Sequence, residues 1–273
     1  MLYLEHHPHP ALAPFIKALW YVRDPHAIHR HERVLPTGRA QIVLSLARDH
    51  LTDANNPISP LSHTPAAIFL GIFSRYQQID AIDFTELIGV VFHPGGTVPF
   101  FPDNASIFTN CETALDDLWG RASLNLRNEL REVPTPEQKF SLLEFALLTR
   151  LALTKHQRRD PILDYALTHL HASPGTTTIA ELTRTTGLSP RRLSERFNEQ
   201  VGISPKLYCR IQRFQQAIQQ MHCGADVPWA ELALTCGYYD QSHFANDFRA
   251  FSGLSATDYS TTNRIWANHI PLD

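Results

Sequence analysis

The sequence predicts an α+β protein in which a β-rich amino-terminal part is followed by helices and then by an all-α carboxy-terminal part. Short segments rich in β-branched and aromatic residues occupy the first third of the chain, and helical periodicities follow them. Near the end, a helix-turn-helix pattern occurs twice. A chain of 273 residues is long enough for two domains, which we expect at 1–158 and 159–273.

Residues 1–93 are expected to form a small antiparallel sheet or barrel. Four apolar segments there are separated by Pro, Gly and Asn, without helical patterns between them. They read IKALWYV from Ile16, QIVLSLA from Gln41, AAIFLGIF from Ala66 and ELIGVVF from Glu86. The pattern changes at the Pro94-Gly95-Gly96 turn, and residues 95–158 are expected to be helical, with the segments ETALDDLWG, RASLNLRNEL and KFSLLEFALLTRLAL.

The last of these helices is the most apolar in the chain. Its apolar positions Phe140, Leu143, Leu147 and Leu151 share one face at helical spacing. That face either packs against the chain's own sheet or forms the seam of a homodimer. Both interpretations stay open at the level of the sequence.

The first helix-turn-helix pattern, IAELTRTTGLSPRRLSERF, spans residues 179–197. Gly187 suits the left-handed conformation that ends a helix, and Ser189 with Pro190 is a typical helix start. Leu193 and Phe197 are four residues apart and are expected to point inward. The residues left facing outward are Arg191, Arg192, Ser194, Glu195 and Arg196.

The second pattern, from Pro228 to Phe248, repeats this order about fifty residues later. Gly237 provides the turn, Asp240 the expected N-cap, and Phe244 with Phe248 the inner face. One copy alone is also explained by a helical hairpin with a solvated face, but two copies favour a DNA-binding pair. The residues left outward here are Gln241, Ser242, His243, Asn246 and Arg249.

From about residue 160 to 260 the chain resembles the AraC/XylS-type DNA-binding domain, most clearly in GISPKLYCR (202–210) and in the stretch 237–253. The resemblance implies two helix-turn-helix units joined by one long helix, here from about 205 to 221. It also implies which residues read bases and which contact the DNA backbone. The implied base-reading residues are Arg191, Arg192, Ser194, Glu195, Gln241, Ser242, His243 and Asn246, and the implied backbone contacts are Lys206, Arg210, Arg213 and Arg249.

The amino-terminal part resembles the sensor half of some AraC-type regulators, in WYV, VLPTGRAQIVLSL, FLGIF and GVVFHPGGTVPFF. This resemblance implies a half-cupin-like β domain (1–93) followed by helices (95–158). It implies a sequence-specific transcriptional regulator, and the leading expectation is an effector-responsive activator. The implied partners are double-stranded DNA, RNA polymerase, a small-molecule effector and a second copy of the chain. No cofactor is expected.

The charge of the carboxy-terminal part is not that of an ordinary DNA-binding domain. From residue 160 onward there are nine Lys and Arg against eleven Asp and Glu, a net charge of −2. Six of the nine basic residues lie between Arg191 and Arg213, against two acidic ones. We therefore expect the first unit to anchor the protein on DNA and the second unit to add discrimination.

Histidines in the amino-terminal part are candidate metal ligands, with His29, His31 and His93 as the weak candidates. The competing interpretations are solvated loop histidines and a pH-sensitive patch. A cupin metal site would also need a Glu a few residues later and another His downstream. Here Glu32 follows His31 immediately, and His93 is the only appealing distant partner. We therefore expect no metal.

Two other functions compete with the effector-responsive regulator. One is an effector-independent DNA-binding protein whose first domain only dimerises. The other is an enzyme with a cupin-like domain, against which the sequence has no nucleophile elbow, phosphate loop or metal triad. The start of the chain lacks a signal-peptide pattern, no stretch is long enough to span a membrane, and four scattered Cys suit a reducing compartment. We therefore expect a cytoplasmic protein.

Overall fold

The computed structural model describes residues 1–24, 31–52, 63–80, 85–101, 103–155, 159–172, 179–223, 228–262, 264 and 266–272. Eleven strands occur in these ranges, and most lie in the first 114 residues. The strands are β1 Leu2–His6, β2 Ile16–Arg23, β3 His31–Val34, β4 Gln41–Ser45, β5 His50–Thr52, β6 His63–Pro65, β7 Ala67–Leu70, β8 Gln77–Asp80, β9 Leu87–Phe92, β10 Glu112–Ala114 and β11 His269–Pro271.

Six strands form the main sheet in the order β1-β2-β9-β4-β7-β10, and all neighbouring pairs are antiparallel. Five of the six residues of β9 are buried, without the alternation of a strand that has one wet face. The sheet is therefore covered on both sides at its centre. The four strands expected from the sequence correspond to β2, β4, β7 and β9, which confirms the antiparallel sheet.

Two smaller sheets complete the β structure. Strands β11, β3 and β8 form an antiparallel three-stranded sheet, and β5 pairs with β6. Helices follow the sheets, including a 3₁₀ helix at Ala105–Phe108. The α-helices are α1 Leu115–Trp119, α2 Arg121–Glu132, α3 Pro136–Leu153, α4 Pro161–Ala172, α5 Ile179–Thr186, α6 Pro190–Val201, α7 Pro205–His222, α8 Trp229–Thr235, α9 Gln241–Ser252 and α10 Ala256–Thr261.

Helix α3 packs its predicted apolar face against the chain itself. Phe140, Leu143 and Leu147 are buried, and Leu151 packs partly buried against the same core. This supports the sheet-packing interpretation of that face over the dimer seam. Phe145 lies elsewhere on α3 and is 69% exposed.

Two short strands differ from the sequence expectation. Residues Glu112–Ala114 were expected to begin a helix, but they form β10 and pair with β7 at the edge of the main sheet. That helix prediction is wrong for these three residues, because the pairing with β7 overrides local propensity. Strand β11, close to the end of the chain, pairs with β3 of the amino-terminal part and was not expected at all.

The described residues contain no helix with the length and apolar character needed to cross a membrane. Residues 156–158, immediately before the domain boundary expected at 158/159, lie outside the described ranges. That boundary stays a prediction. A single cluster of buried apolar side chains includes residues from both sides of it, such as Leu147 and Leu163.

We expect Leu143→Ala to lower the free energy of unfolding by about 2–5 kcal/mol, because it removes a fully buried side chain from α3. Phe145→Ser, on the same helix but exposed, should change it by less than about 0.5 kcal/mol. Urea unfolding at two protein concentrations measures both. A loss in Phe145→Ser that varies with concentration would show that a second copy covers α3.

Candidate nucleic-acid interface

The first helix-turn-helix unit consists of α5 and α6. Gly187 lies between them with φ +69°, and the Ser189 hydroxyl accepts a hydrogen bond from the backbone N–H of Arg192, so both predictions for the turn are confirmed. Leu193 and Phe197 of α6 are buried, as expected. The apolar face of α6 therefore packs inward, and the first turn of the helix is exposed to solvent.

The outward face of α6 carries Arg191 and Arg192, both exposed, with Ser194 and Glu195 half-buried. The Arg191 side chain is 89% exposed and donates to the Glu195 carboxylate at 2.8 Å. Solvent screens an exposed pair of this kind, so it contributes little to stability. Arg191 can therefore leave Glu195 for a guanine edge at small cost.

The second unit consists of α8 and α9. Gly237 has φ +77°, and the Asp240 carboxylate caps α9 by accepting from the His243 N–H at 2.7 Å. Phe244 and Phe248 are buried, as expected. The polar residues exposed on α9 are Gln241, Ser242, Asn246 and Arg249.

His243 is the least available of the predicted base-reading residues on α9. Its Nδ1 accepts from the backbone N–H of Tyr239 at 3.5 Å, and its Nε2 lies 3.9 Å from the Asp247 carboxylate. Its ring also packs edge-on against Tyr238. By contrast, Tyr239 is 86% exposed just before α9, a position that sequence reasoning did not single out.

Helix α7 joins the two units, and its bounds agree with the expected long helix of about 205 to 221. Tyr208 of α7 contacts Phe197 of α6 with ring centroids 5.6 Å apart. Phe214, six residues further along, contacts Phe248 of α9 at 5.3 Å. The two predicted reading helices, α6 and α9, therefore both pack against α7, a helix of 18 residues that is ~27 Å long.

Arg210 and Asp247 link α7 to α9 by an ion pair. The Arg210 guanidinium donates to the Asp247 carboxylate through Nη2 at 2.6 Å and through Nε at 3.1 Å. The Asp247 side chain is only 6% exposed, and its hydrogen bond raises the pKa of Arg210. The predicted phosphate contact of Arg210 thus has a competing structural role, which the sequence did not indicate because Asp247 lies 37 residues away.

The other predicted backbone contacts are placed differently. Lys206 and Arg249 are exposed. Arg213 is half-buried, with its guanidinium 5.4 Å from the Tyr238 ring centre and its Nε buried without a hydrogen-bond partner. Lys206 and Arg249 are therefore the better placed of the four for phosphates.

Comparison with known proteins gives two family matches on different parts of the chain. A helix-turn-helix domain matches residues 182–262, and a domain of unknown function (DUF6597) matches residues 4–114. The first match covers α6, α7, α8, α9 and α10, with most of α5. The second covers the main sheet.

Two curated relatives are similar to part of the chain. The arabinose operon regulatory protein of Salmonella typhimurium is 30% identical over 126 residues, 44% of each chain. The probable transcriptional regulator LumQ of Photobacterium leiognathi is 32% identical over 81 residues, 30% of this chain and 32% of that protein. The chain thus spans less than half the length of these relatives.

The carboxy-terminal part of the chain is a helix-turn-helix domain, and the chain is similar there to AraC-type regulators. A solved structure of a probable AraC family transcriptional regulator from Rhodopseudomonas palustris is 28% identical, covers 36% of this chain and 94% of its own, and has a TM-score of 0.34. In the present chain, the helix-turn-helix domain has its two units, its long connecting helix and its Gly turns where the sequence predicted them.

Asp160 is another residue that sequence reasoning missed. One carboxylate oxygen accepts from the backbone N–H of Ile162 at the start of α4. The other accepts from Arg196 at 3.0 Å and from Gln200 at 3.1 Å, both on α6. Arg196 is therefore held beside α4. Asp–Pro before an apolar helix is a capping signal, but the contact with α6 is long-range.

The metal candidates do not assemble into a site among the described residues, which contain no group of three or more metal-ligating side chains. His29 lies outside the described ranges. Burial, together with the nearby cations Arg39, Arg159 and Lys17, lowers the pKa of His93 to about 4. A neighbourhood of cations also disfavours a divalent metal at His93.

We expect Arg210→Ala to lower the free energy of unfolding by about 2 kcal/mol, because it leaves the Asp247 carboxylate buried and unpaired. The value is below that for fully buried pairs, since the Arg210 side chain is one third exposed. Arg249→Ala, an exposed Arg of α9, is the matched control and should change stability by less than about 0.5 kcal/mol. Equal stability of the two variants in urea unfolding would contradict this role of Arg210.

His93 should make stability fall as the pH drops below about 6.5. Unfolded His93 binds a proton below its ordinary pKa of 6.5, whereas folded His93 stays neutral until about pH 4. Between pH 7 and pH 5, His93→Asn should therefore lose about 1 kcal/mol less unfolding free energy than the natural protein, after allowance for solvent screening. His222→Asn, which removes an exposed histidine of α7, is the control. If His93→Asn loses as much unfolding free energy as the natural protein and His222→Asn do, the prediction is wrong.

Proposed function

We propose that the protein is a sequence-specific transcriptional activator whose two reading helices enter successive major-groove segments of one duplex. The observation that carries the proposal is that Arg191 on α6, and Gln241 and Asn246 on α9, are all exposed on helices mounted on α7. Arg pairs with guanine by two hydrogen bonds, and Gln and Asn pair with adenine in the same way. The proposal includes RNA polymerase as a partner and the cytoplasm as the location of the protein.

The division of labour between the units follows from the charges. Basic residues between 191 and 213 lie on α6 and α7, whereas residues 224–273 carry two basic against six acidic ones. Phosphate attraction supplies the sequence-independent part of DNA affinity. We therefore assign general affinity to α6 and its neighbours, and discrimination to Gln241, Ser242 and Asn246 of α9.

The effector response is assigned to the amino-terminal part. A narrow cleft there opens between the ends of β3, β4, β7 and β8, lined by Val34, Leu35, Arg39, Leu70 and Gln77 among others. The cleft has a volume of only about 30 Å³, room for about one water molecule, so a small molecule would have to widen it. Widening it would act on β3, the strand that pairs with β11. Footprinting with and without candidate small molecules separates this function from an effector-independent DNA-binding protein.

An enzyme with a cupin-like domain is the alternative of a different class. Its chemistry would have to come from residues such as His31 and His93, which do not form a metal-ligating group within the described ranges. The carboxy-terminal match is to a DNA-binding domain. We therefore place gene regulation first.

Selection of binding duplexes from a randomised pool by the full chain tests the proposal. Arg191→Ala should weaken binding both to the selected duplex and to unrelated sequences, because it removes a positive charge as well as a base contact. Gln241→Ala and Asn246→Ala should each reduce discrimination at one position by about 1–3 kcal/mol, roughly 5- to 150-fold. Arg184→Ala, an exposed Arg on α5 outside the reading helices, is the control for loss of charge. If the α9 variants weaken binding to every sequence as much as Arg191→Ala, the division of labour is wrong.

A further inference from the structure

The carboxy-terminal end of α9 is held by the amino-terminal part of the chain. The last carbonyl groups of a helix have no partners within the helix. In α9, the backbone N–H of Tyr76 donates to the Phe251 carbonyl at 3.0 Å, and Arg33 Nη1 donates to the Ser252 carbonyl at 3.0 Å. Both donors lie more than 170 residues earlier in the sequence. We call this set of contacts, made by Arg33 and Tyr76 on residues 251–253, the α9 clasp.

Gly253 is the point of closest approach in the α9 clasp. It has φ +71°, and a Cβ placed on it would lie 2.5 Å from Cε1 of Tyr76 and 3.1 Å from Nη1 of Arg33. A side chain at this position would therefore push the two parts of the chain apart. The Arg33 guanidinium stacks 4.2 Å above the Tyr76 ring, and its positive charge suits the negative end of the α9 dipole.

The strand that carries Arg33 is bound to the carboxy-terminal part a second time. Strand β11 pairs with β3, with Ile270 opposite Arg33, and Leu35 donates to the Asn268 carbonyl at 2.9 Å. The Glu32 carboxylate lies 2.8 Å from His269 Nδ1. Arg33 is therefore fixed between β11 and the end of α9, rather than being a mobile surface side chain.

The end of the other reading helix is held in a similar way. The Thr109 hydroxyl donates to the Gly202 carbonyl at the carboxy-terminal end of α6. Gly202 has φ +98°, and a Cβ on it would lie 2.9 Å from the Ala105 carbonyl oxygen of the 3₁₀ helix. Between the two ends, Gln215 of α7 donates to the Pro36 carbonyl at 2.8 Å. The amino-terminal part thus contacts both reading helices and α7 between them.

We propose that Arg33 is a positioning residue for DNA reading, through which the amino-terminal part fixes the orientation of α9 relative to α6. Reading helices of this motif contact bases with their amino-terminal residues. The clasp holds the opposite end of α9 and leaves Gln241 and Asn246 exposed. A pair of helices that is already oriented binds two groove segments with a smaller loss of conformational freedom. This inference rests on the proposed function.

The experiment compares full-length variants on two duplexes. One is the duplex selected by the natural protein from the randomised pool, and the other has the segment protected by α9 scrambled. Arg33→Met removes the donor and the charge, and Arg33→Lys restores both in part. Arg75→Ala is the matched control, because Arg75 is an exposed Arg next to Tyr76.

We expect Arg33→Met to weaken binding to the selected duplex about tenfold and to the scrambled duplex less than twofold. Protection of the segment read by α9 should be lost, Arg33→Lys should recover part of the affinity, and Arg75→Ala should stay within about twofold of the natural protein. Hydrogen exchange without DNA should show faster exchange at Tyr76 in Arg33→Met. Thermal unfolding verifies folding, and if Arg33→Met does not fold, Tyr76→Leu removes the ring beneath Arg33 instead.

Three results would overturn the inference while leaving DNA reading intact. They are unchanged affinity in Arg33→Met, equal weakening on both duplexes, and tighter binding, which would mean that the clasp inhibits DNA binding. Failure of the natural protein to enrich any sequence would overturn the proposed function itself and this inference with it.

Discussion

The packing of two aromatic side chains on α7 is the constraint on which the reading geometry depends. Tyr208 contacts Phe197 of α6, and Phe214 contacts Phe248 of α9. Positions six residues apart on a helix differ by about 120° around its axis and ~9 Å along it. The two aromatic positions of α7 thus set where along and around α7 each reading helix packs, and the α9 clasp adds a second constraint at the far end of α9. Arg210 lies between the two aromatic positions and adds an ion pair to Asp247 on the α9 side.

This arrangement affects how strongly the protein can be drawn to DNA by charge alone. Three of the six basic residues between 191 and 213 form ion pairs: Arg191 with Glu195, Arg196 with Asp160 and Arg210 with Asp247. Each phosphate that the protein neutralises adds about 0.9 to the steepness with which the logarithm of the binding constant falls with the logarithm of the salt concentration. With few unpaired basic residues, general attraction is small and the fixed geometry of the two helices becomes more important. A second copy on an adjoining site would add affinity by linkage.

The features that the sequence predicted are those with local causes. The left-handed Gly187 and Gly237, the caps at Ser189 and Asp240, and the four apolar strands each depend on residues within a few positions of one another. The features that it did not predict join distant segments. Asp160 meets α6, Asp247 meets Arg210, and β11 meets β3 across more than 230 residues, and the residue types involved are also common on solvated surfaces.

Strand β3 gives the two parts of the chain a shared element. It pairs with β8 on one edge and β11 on the other, and its end at Val34 lines the cleft of the amino-terminal part. A ligand shifts an equilibrium only by its difference in affinity for the two arrangements, about 1.4 kcal/mol for each tenfold change. A molecule in the cleft would therefore alter DNA reading only if it favoured one placement of β3 over another. Because Arg33 lies on β3 and contacts the end of α9, such a displacement would reach the second reading helix without passing through α7.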